Sequence, residues 1–326
     1  MNVTILGAGA WGTALGLVLH RGGHRVTFWG NDAAHLEELQ RSGRNERYLP
    51  GVELPRDWKF APTLAQALPG NDAIVLAVPS KAFRAVAAQL AELKGLLISV
   101  TKGIDYDTGL TMCGLLKGAV PGATVAALSG PTLALEVARG IPTAIVAACE
   151  DAAAAQIVQQ LFHHKSFRVY TSPDPLGVEL GGALKNVVAI AAGVGDGLGF
   201  GDNSKAVLIT RGIAEISRLG VACGAQAETF AGLSGLGDLT VTCFSKLSRN
   251  RSLGERLGRG EKLETILAQA TAVAEGYPTA RSARQLARKL NLVTPIIDEV
   301  HAVLYEGKNV AQALCDLTSR ESRAEC

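Results

Sequence analysis

The sequence predicts an α/β protein of two domains: a doubly wound, mostly parallel sheet covered by helices, followed by an all-α domain. Three observations carry this. The chain has 326 residues, more than one ordinary hydrophobic core organises. In its first half, short continuous apolar runs alternate with helical stretches, the pattern of strands buried on both faces. After Thr171-Ser172-Pro173-Asp174-Pro175 strand patterns nearly vanish and helical periodicity takes over. The expected division is 1–180 and 181–326.

The first strand is Asn2–Leu6, NVTIL, apolar and partly β-branched. Gly7-Ala8-Gly9-Ala10-Trp11-Gly12 follows, a GxGxxG, then a helical stretch over residues 13–20 ended by Gly22-Gly23, then a second strand, Arg25–Trp29. An unrelated glycine-rich turn would carry the same glycines. The strand–loop–helix–strand context, packed into about 30 residues, marks a dinucleotide site instead. Gly7 permits the turn, Gly9 lets a pyrophosphate approach the backbone, and Gly12 lets the helix pack on the strand with its N-terminus facing the anion.

Further strands are expected at residues 73–77, 96–100, 124–128 and 144–148, in the same Rossmann-like alternation. Ligands of such sheets sit at the carboxyl ends of strands. Lys102 and the Gly130-Pro131-Thr132 turn lie at such ends. Lys102 could meet a phosphate or carboxylate there; a solvated loop lysine would look the same. After the second strand comes Gly30-Asn31-Asp32. An acid at this point suits the ribose hydroxyls of NAD and an arginine the 2′-phosphate of NADP. Asn31 is neutral, so the choice between NAD and NADP stays open.

In the second half, residues 181–192 read as a helix buried on most sides, and 193–201 as a glycine-rich turn. Asp202-Asn203 are expected to cap a helix over 204–219, stopped by Gly220. More helices are expected at residues 226–230, 252–257, 262–269, 280–290, 295–305 and 310–317. Asp238 and Thr242 stand four apart, on one face if helical. Ser248-Arg249-Asn250-Arg251 opens a short helix, and those side chains with the free N–H groups make an anion site. A capped surface helix with solvated arginines would carry the same run.

Composition narrows the function. Hydrophobic residues make up 48% and charged residues 19%, a globular balance. A net charge of +2 gives no reason to expect nucleic acid or a membrane surface as partner. Six cysteines, Cys113, Cys149, Cys223, Cys243, Cys315 and Cys326, show no CxxC spacing, so neither a metal site nor a disulfide framework is expected. No apolar run reaches the roughly 18 residues of a membrane span, and no basic segment marks a leader. The expectation is a cytoplasmic protein without stable membrane insertion, whose apolar helical domain permits a homodimer.

Seven segments then fix a resemblance: GAGAWGTAL (7–15), SVTKGID (99–105), SGPTLA (129–134), ALKNVVAIAAG (183–193), GLGDLTVTC (235–243), SRNR (248–251) and VAEG (273–276). Occurring together in this order, they resemble the NAD(P)-dependent glycerol-3-phosphate dehydrogenases of the bacterial type. The resemblance implies that Trp11 lines the cofactor and that Lys102 touches both substrate and cofactor. Gly130 and Thr132 would bind substrate, and Ala134 cofactor. Lys185 would transfer the proton. Asp238, Ser248, Arg249 and Asn250 would hold the small phosphate substrate, with Arg249 also near the cofactor. Asn31, Val273 and Glu275 would complete the cofactor pocket. Two departures stand out. Ala10 occupies a place where many relatives carry serine, and the basic residue that many carry near Asn31 is absent, which speaks against strong NADP preference. The implied role is supply of glycerol phosphate for membrane lipids.

The chemistry turns on Lys185. A free lysine has a pKa of about 10.4, too high for a base at neutral pH. Desolvation in an apolar helix lowers it, while Asp238 opposes the shift, so the net direction is open from sequence. A lysine that snorkels from a helix end or forms a structural ion pair is the plain alternative. Two rival functions remain: a dehydrogenase of 3-hydroxy acids, and a dinucleotide sensor without catalysis.

Overall fold

The computed structural model describes residues 1–270 and 273–319. Eight strands form one sheet: β1 (Asn2–Leu6), β2 (Arg25–Trp29), β3 (Lys59–Ala61), β4 (Ala73–Leu76), β5 (Gly95–Ser99), β6 (Ala123–Ser129), β7 (Thr143–Ala148) and β8 (Phe167–Ser172). Their order is β3-β2-β1-β4-β5-β6-β7-β8. The first six have the order of a doubly wound nucleotide fold, whose crevice opens where the order reverses, between β1 and β4. All pairs are parallel except β6–β7. One reversed pair among parallel ones is the mostly parallel sheet that was expected. β6 ends in the Gly130 turn and the short helix Ala134–Ala138, and the chain returns beside it in the opposite sense.

Two strands were not expected. β3 has only three residues. β8 alternates buried Phe167 and Val169 with exposed Arg168 and Tyr170, as an edge strand does, and so lacks the continuous apolar run that marks the others.

The glycine-loop helix spans Ala10–Arg21 and is capped by Gly9, with no side-chain acceptor and no acid in its first turn. Its first N–H groups are left for a ligand.

The long helix Pro175–Gly197 leaves the sheet and forms the spine of the second half. It is long and apolar enough to cross a membrane, but 89% of its apolar window is buried inside the protein. It is the core helix of a helical layer. It starts at the Asp174 cap, whose Oδ1 accepts from Gly177 N–H at 2.8 Å and whose Oδ2 accepts from Gln226 N–H and the Thr229 hydroxyl.

The expected turn at 193–201 is therefore shorter: the helix continues to Gly197. The reason is packing. A Cβ at Gly193 would lie 1.9 Å from the Arg251 carbonyl oxygen, and one at Gly254 would lie 1.9 Å from that of Ile190. Gly197 and Gly258 repeat the contact one turn on. Glycines of two helices lock backbone to backbone, and the Arg249–Gly258 helix is pinned to the spine.

The next helix, Asp202–Ala222, is capped by Gly201 rather than by Asp202 or Asn203, and it runs through Gly220. A Cβ at Gly220 would strike the Phe230 ring at 2.0 Å, so this glycine admits a neighbour instead of ending a helix. The later helices, Ala227–Ala231, Leu263–Gln269, Gly276–Lys289, Pro295–Tyr305 and Val310–Thr318, fall close to their expected places. Cys113, Cys149, Cys223, Cys243 and Cys315 are free thiols; Cys326 lies outside the described residues.

Candidate active site

Lys185 lies on the spine helix and is 6% exposed. Its Nζ lies 2.9 Å from Asp238 Oδ1 and donates to Thr242 Oγ1 at 2.6 Å. Asp238 is 1% exposed and opens the helix Asp238–Phe244. One turn on, the Thr242 hydroxyl donates to the Asp238 carbonyl at 2.6 Å, so the expected helical face exists. The second oxygen of Asp238 meets Lys102 Nζ at 2.6 Å. Lys102 comes from the end of β5 and also donates to the Gly130 carbonyl at 3.1 Å, which in turn accepts from the Thr132 hydroxyl at 3.1 Å. The two halves of the chain thus meet at one carboxylate shared by two ammonium groups.

Two ammoniums on one carboxylate leave a local excess of positive charge in a dehydrated place. That suits a substrate oxygen that gains negative charge. Burial pushes the Lys185 pKa down to about 8, with Asp238 opposing and Lys102 assisting. Desolvation prevails over the counter-ion, which settles the direction the sequence left open. The glycines before Lys185 fit this role. A Cβ at Gly182 would stand 2.5 Å from the Ser129 hydroxyl, so glycine lets the spine lie against the β6 end beside Gly130.

The second cluster is the start of the Arg249–Gly258 helix. Ser248 Oγ caps it, accepting from Arg251 N–H at 3.2 Å. Asn250 is buried and donates to Asn186 Oδ1 at 2.8 Å, while its own Oδ1 accepts from Gly276 N–H at 2.8 Å. Arg251 is paired with Asp196 at 2.6 Å and Glu255 at 3.1 Å, so it is structural. Arg249 has no such partner among the described residues. Its side chain reaches solvent, yet surrounding protein desolvates the guanidinium and lowers its pKa, with Glu275 opposing. A desolvated arginine without a direct partner has N–H donors ready for phosphate oxygens. The alternative of a capped surface helix with solvated arginines fits exposed Arg249 but not the buried Asn250 and Arg251.

Glu275 accepts from Ser80 N–H at 3.1 Å and from its hydroxyl at 2.5 Å. A carboxylate of the helical half thereby caps the helix Ser80–Ala88 of the sheet half. Burial raises its pKa. Val273 and Ala134 are half-buried, and Asn31 is exposed.

The glycine loop fits a dinucleotide. A Cβ at Gly7 would strike the Ala77 oxygen at 2.5 Å, and one at Gly12 the Gly7 oxygen at 2.1 Å, whereas a Cβ at Gly9 would meet nothing within 4 Å. Gly7 and Gly12 close the turn, and Gly9 faces open space where a pyrophosphate can approach. The Trp11 indole N–H is buried without a partner among the described residues. These residues would hold the diphosphate of NAD or NADP.

Sequence reading paired Thr242 with Asp238 but gave it no role, and it missed Asn186 and Ser80 as members of the site. Asn186 and Thr242 lay beside expected residues in KN and DLTVT; Ser80 gave only its place at the end of a strand.

Known proteins agree. Residues 2–155 match the model of the NAD-dependent glycerol-3-phosphate dehydrogenase N-terminus, and residues 174–315 that of its C-terminus. A glycerol-3-phosphate dehydrogenase (NAD(P)+) of Syntrophotalea carbinolica is 48% identical over 100% of this chain and 99% of its own length. One of Fusobacterium nucleatum is 46% identical over 100% and 98%. The crystal structure of glycerol-3-phosphate dehydrogenase from Coxiella burnetii superposes with a TM-score of 0.95 at 37% identity, covering 98% of this chain and 99% of that one. Two matched halves, full-length relatives and a shared three-dimensional structure lead to one conclusion: the chain belongs to the NAD-dependent glycerol-3-phosphate dehydrogenase family.

Proposed function

We propose that the protein reduces dihydroxyacetone phosphate to sn-glycerol 3-phosphate with NADH or NADPH, supplying glycerol phosphate for phospholipid synthesis. The single observation that carries this reading is the buried Lys185–Asp238–Lys102 cluster; Arg249, without a direct partner among the described residues, opens the helix whose Asn250 bonds Asn186, the neighbour of Lys185. The bound nicotinamide would supply the hydride to the carbonyl carbon. Lys185 donates the proton to the carbonyl oxygen as charge develops there, and takes it back in the oxidative direction. Its lowered pKa suits both tasks. Lys102 and Asp238 hold that oxygen's surroundings fixed, so no reorganisation is needed as charge moves. Arg249 and Asn250, at the start of a helix, grip the phosphate and align the carbonyl.

On this reading residues 1–180 carry the cofactor and 181–326 the substrate. A cytoplasmic location without stable membrane insertion and an optional homodimer accompany it. Loss of NADH absorbance on adding dihydroxyacetone phosphate tests the proposal. Unphosphorylated dihydroxyacetone should react far more slowly. Faster turnover of a 3-oxo acid would overturn it, as would cofactor binding with no turnover of any triose phosphate.

A further inference from the structure

The end of β2 carries the neutral Asn31, and nothing at that end of the strand favours a 2′-phosphate. The fold brings a cation there from elsewhere. Arg47 Nη1 donates to Asp32 Oδ2 at 3.1 Å, one residue beyond Asn31. Its guanidinium lies over the Tyr48 ring, 5.0 Å from the centroid. Asp32 is not a competitor for a ribose: its other oxygen caps the helix Ala33–Ser42 by accepting from His35 N–H at 3.0 Å.

Arg47 is held in place by the glycine loop itself. Asn45, 1% exposed, donates to the Ala8 carbonyl at 3.1 Å and to Thr13 Oγ1 at 2.8 Å. Its own side-chain oxygen accepts from Tyr48 N–H at 3.3 Å. His35 meets the same Ala8 carbonyl at 3.3 Å and stands edge-on to Tyr48, ring centroids 5.1 Å apart. Segment 45–48 is thus fastened to the loop that would cradle the pyrophosphate. The neighbouring Arg44 is occupied by Glu53 at 2.9 Å. Arg47 uses one nitrogen on Asp32, and its remaining N–H donors have no hydrogen-bond partner among the described residues.

We propose that Arg47, positioned by Asn45, binds the 2′-phosphate of NADPH and gives the enzyme a preference for that cofactor. This rests on the reading of residues 7–12 as the dinucleotide loop. The guanidinium fork can bridge Asp32 and a phosphate together, which a lysine could not do in the same plane. On this proposal the 2′-phosphate is recognised although Asn31 is neutral, because the cation comes from 16 positions further along the chain.

The test is cofactor binding, read from the fluorescence of NADPH and NADH on addition of the full-length protein. Arg47→Gln should raise the NADPH Kd by about tenfold or more, the scale of a lost charge-assisted contact, and leave the NADH Kd within about twofold. Asp32→Asn keeps a good helix cap, removes an anion, and should tighten NADPH alone. In the unsubstituted protein, raising salt should weaken NADPH more than NADH, and this excess should vanish in Arg47→Gln. Tighter binding of NADH than of NADPH by the unsubstituted protein, or equal loss for both cofactors in Arg47→Gln, overturns the inference. Binding of neither cofactor would instead overturn the dinucleotide reading on which it stands. The salt dependence of the unsubstituted protein decides the matter even if a variant fails to fold.

Discussion

Lys185 and Asp238, 53 positions apart in sequence, face each other at 2.9 Å in a place almost closed to water. The pair is not a simple salt bridge. Asp238 also serves Lys102 at 2.6 Å, so neither lysine has a counter-ion to itself. The arrangement trades stability for a dehydrated, polarising amine, and its consequences can be measured.

Lys185→Ala should lower kcat for dihydroxyacetone phosphate by about 10²–10⁴-fold, the usual weight of a positioned acid. NADPH should still bind, since Lys185 lies on the helical half. Lys185→Arg should recover little, because a guanidinium keeps its proton at all working pH values. Retention of full activity by Lys185→Ala would remove the proposed acid.

The two directions should show opposite pH profiles. Reduction needs the charged amine, so kcat should fall as pH rises through about 8. Oxidation needs the neutral amine, so its rate should rise through about the same pH. Stability follows from linkage. The folded pKa lies below the ordinary 10.5, so the unfolded chain binds more protons between about 8 and 10.5. Over that window the contribution of Lys185 should favour folding more as pH rises, which urea melts at stepped pH would read against Lys185→Met.

Asp238→Asn leaves two ammoniums without a counter-ion. A loss of about 3–5 kcal/mol in unfolding free energy is expected, as for any broken buried pair. The acid limb of the oxidation profile should also move to lower pH, because Asp238 holds the Lys185 pKa up. A shift upward would contradict the geometry.

Arg249→Ala should raise KM for dihydroxyacetone phosphate by about 10–100-fold, the scale of lost hydrogen bonds to a charged group. The slow reaction of unphosphorylated dihydroxyacetone should be unaffected. Equal loss with both substrates would mean that Arg249 does not meet the phosphate.

Gly254→Ala places a methyl 1.9 Å from the Ile190 carbonyl oxygen, where only backbone could yield. About 3 kcal/mol or more of destabilisation is expected, at or beyond the usual range for overpacking. Because the same helix starts at Arg249, KM for the phosphate should rise too. Thermal melts and KM together separate this from a purely local strain.

Several elements were legible before folding. Continuous apolar runs announced β1, β2, β4, β5, β6 and β7, since a strand covered on both faces must be apolar throughout. The glycine loop was legible because its chemistry is local: a tight turn, an approach and a helix start within six residues. Lys185 stood out as the one cation in an apolar helix. β8 and the reversal at β6–β7 were not legible. An alternating edge strand looks like surface, and chain direction depends on how a connection packs. Gly193, Gly197 and Gly220 read as breakers, although each serves a close helix contact with a distant residue.

The sequence by itself determined the α/β class and marked the glycine loop, because those properties depend on neighbours a few residues away; the candidate site residues were named through the resemblance of seven separate segments. Only the tertiary structure decided that Lys102, Lys185 and Asp238 share one buried carboxylate, that desolvation outweighs it at Lys185, and that Arg47 reaches Asp32. Distance, burial and dielectric are properties of groups brought together from remote parts of the chain, and no local pattern encodes them.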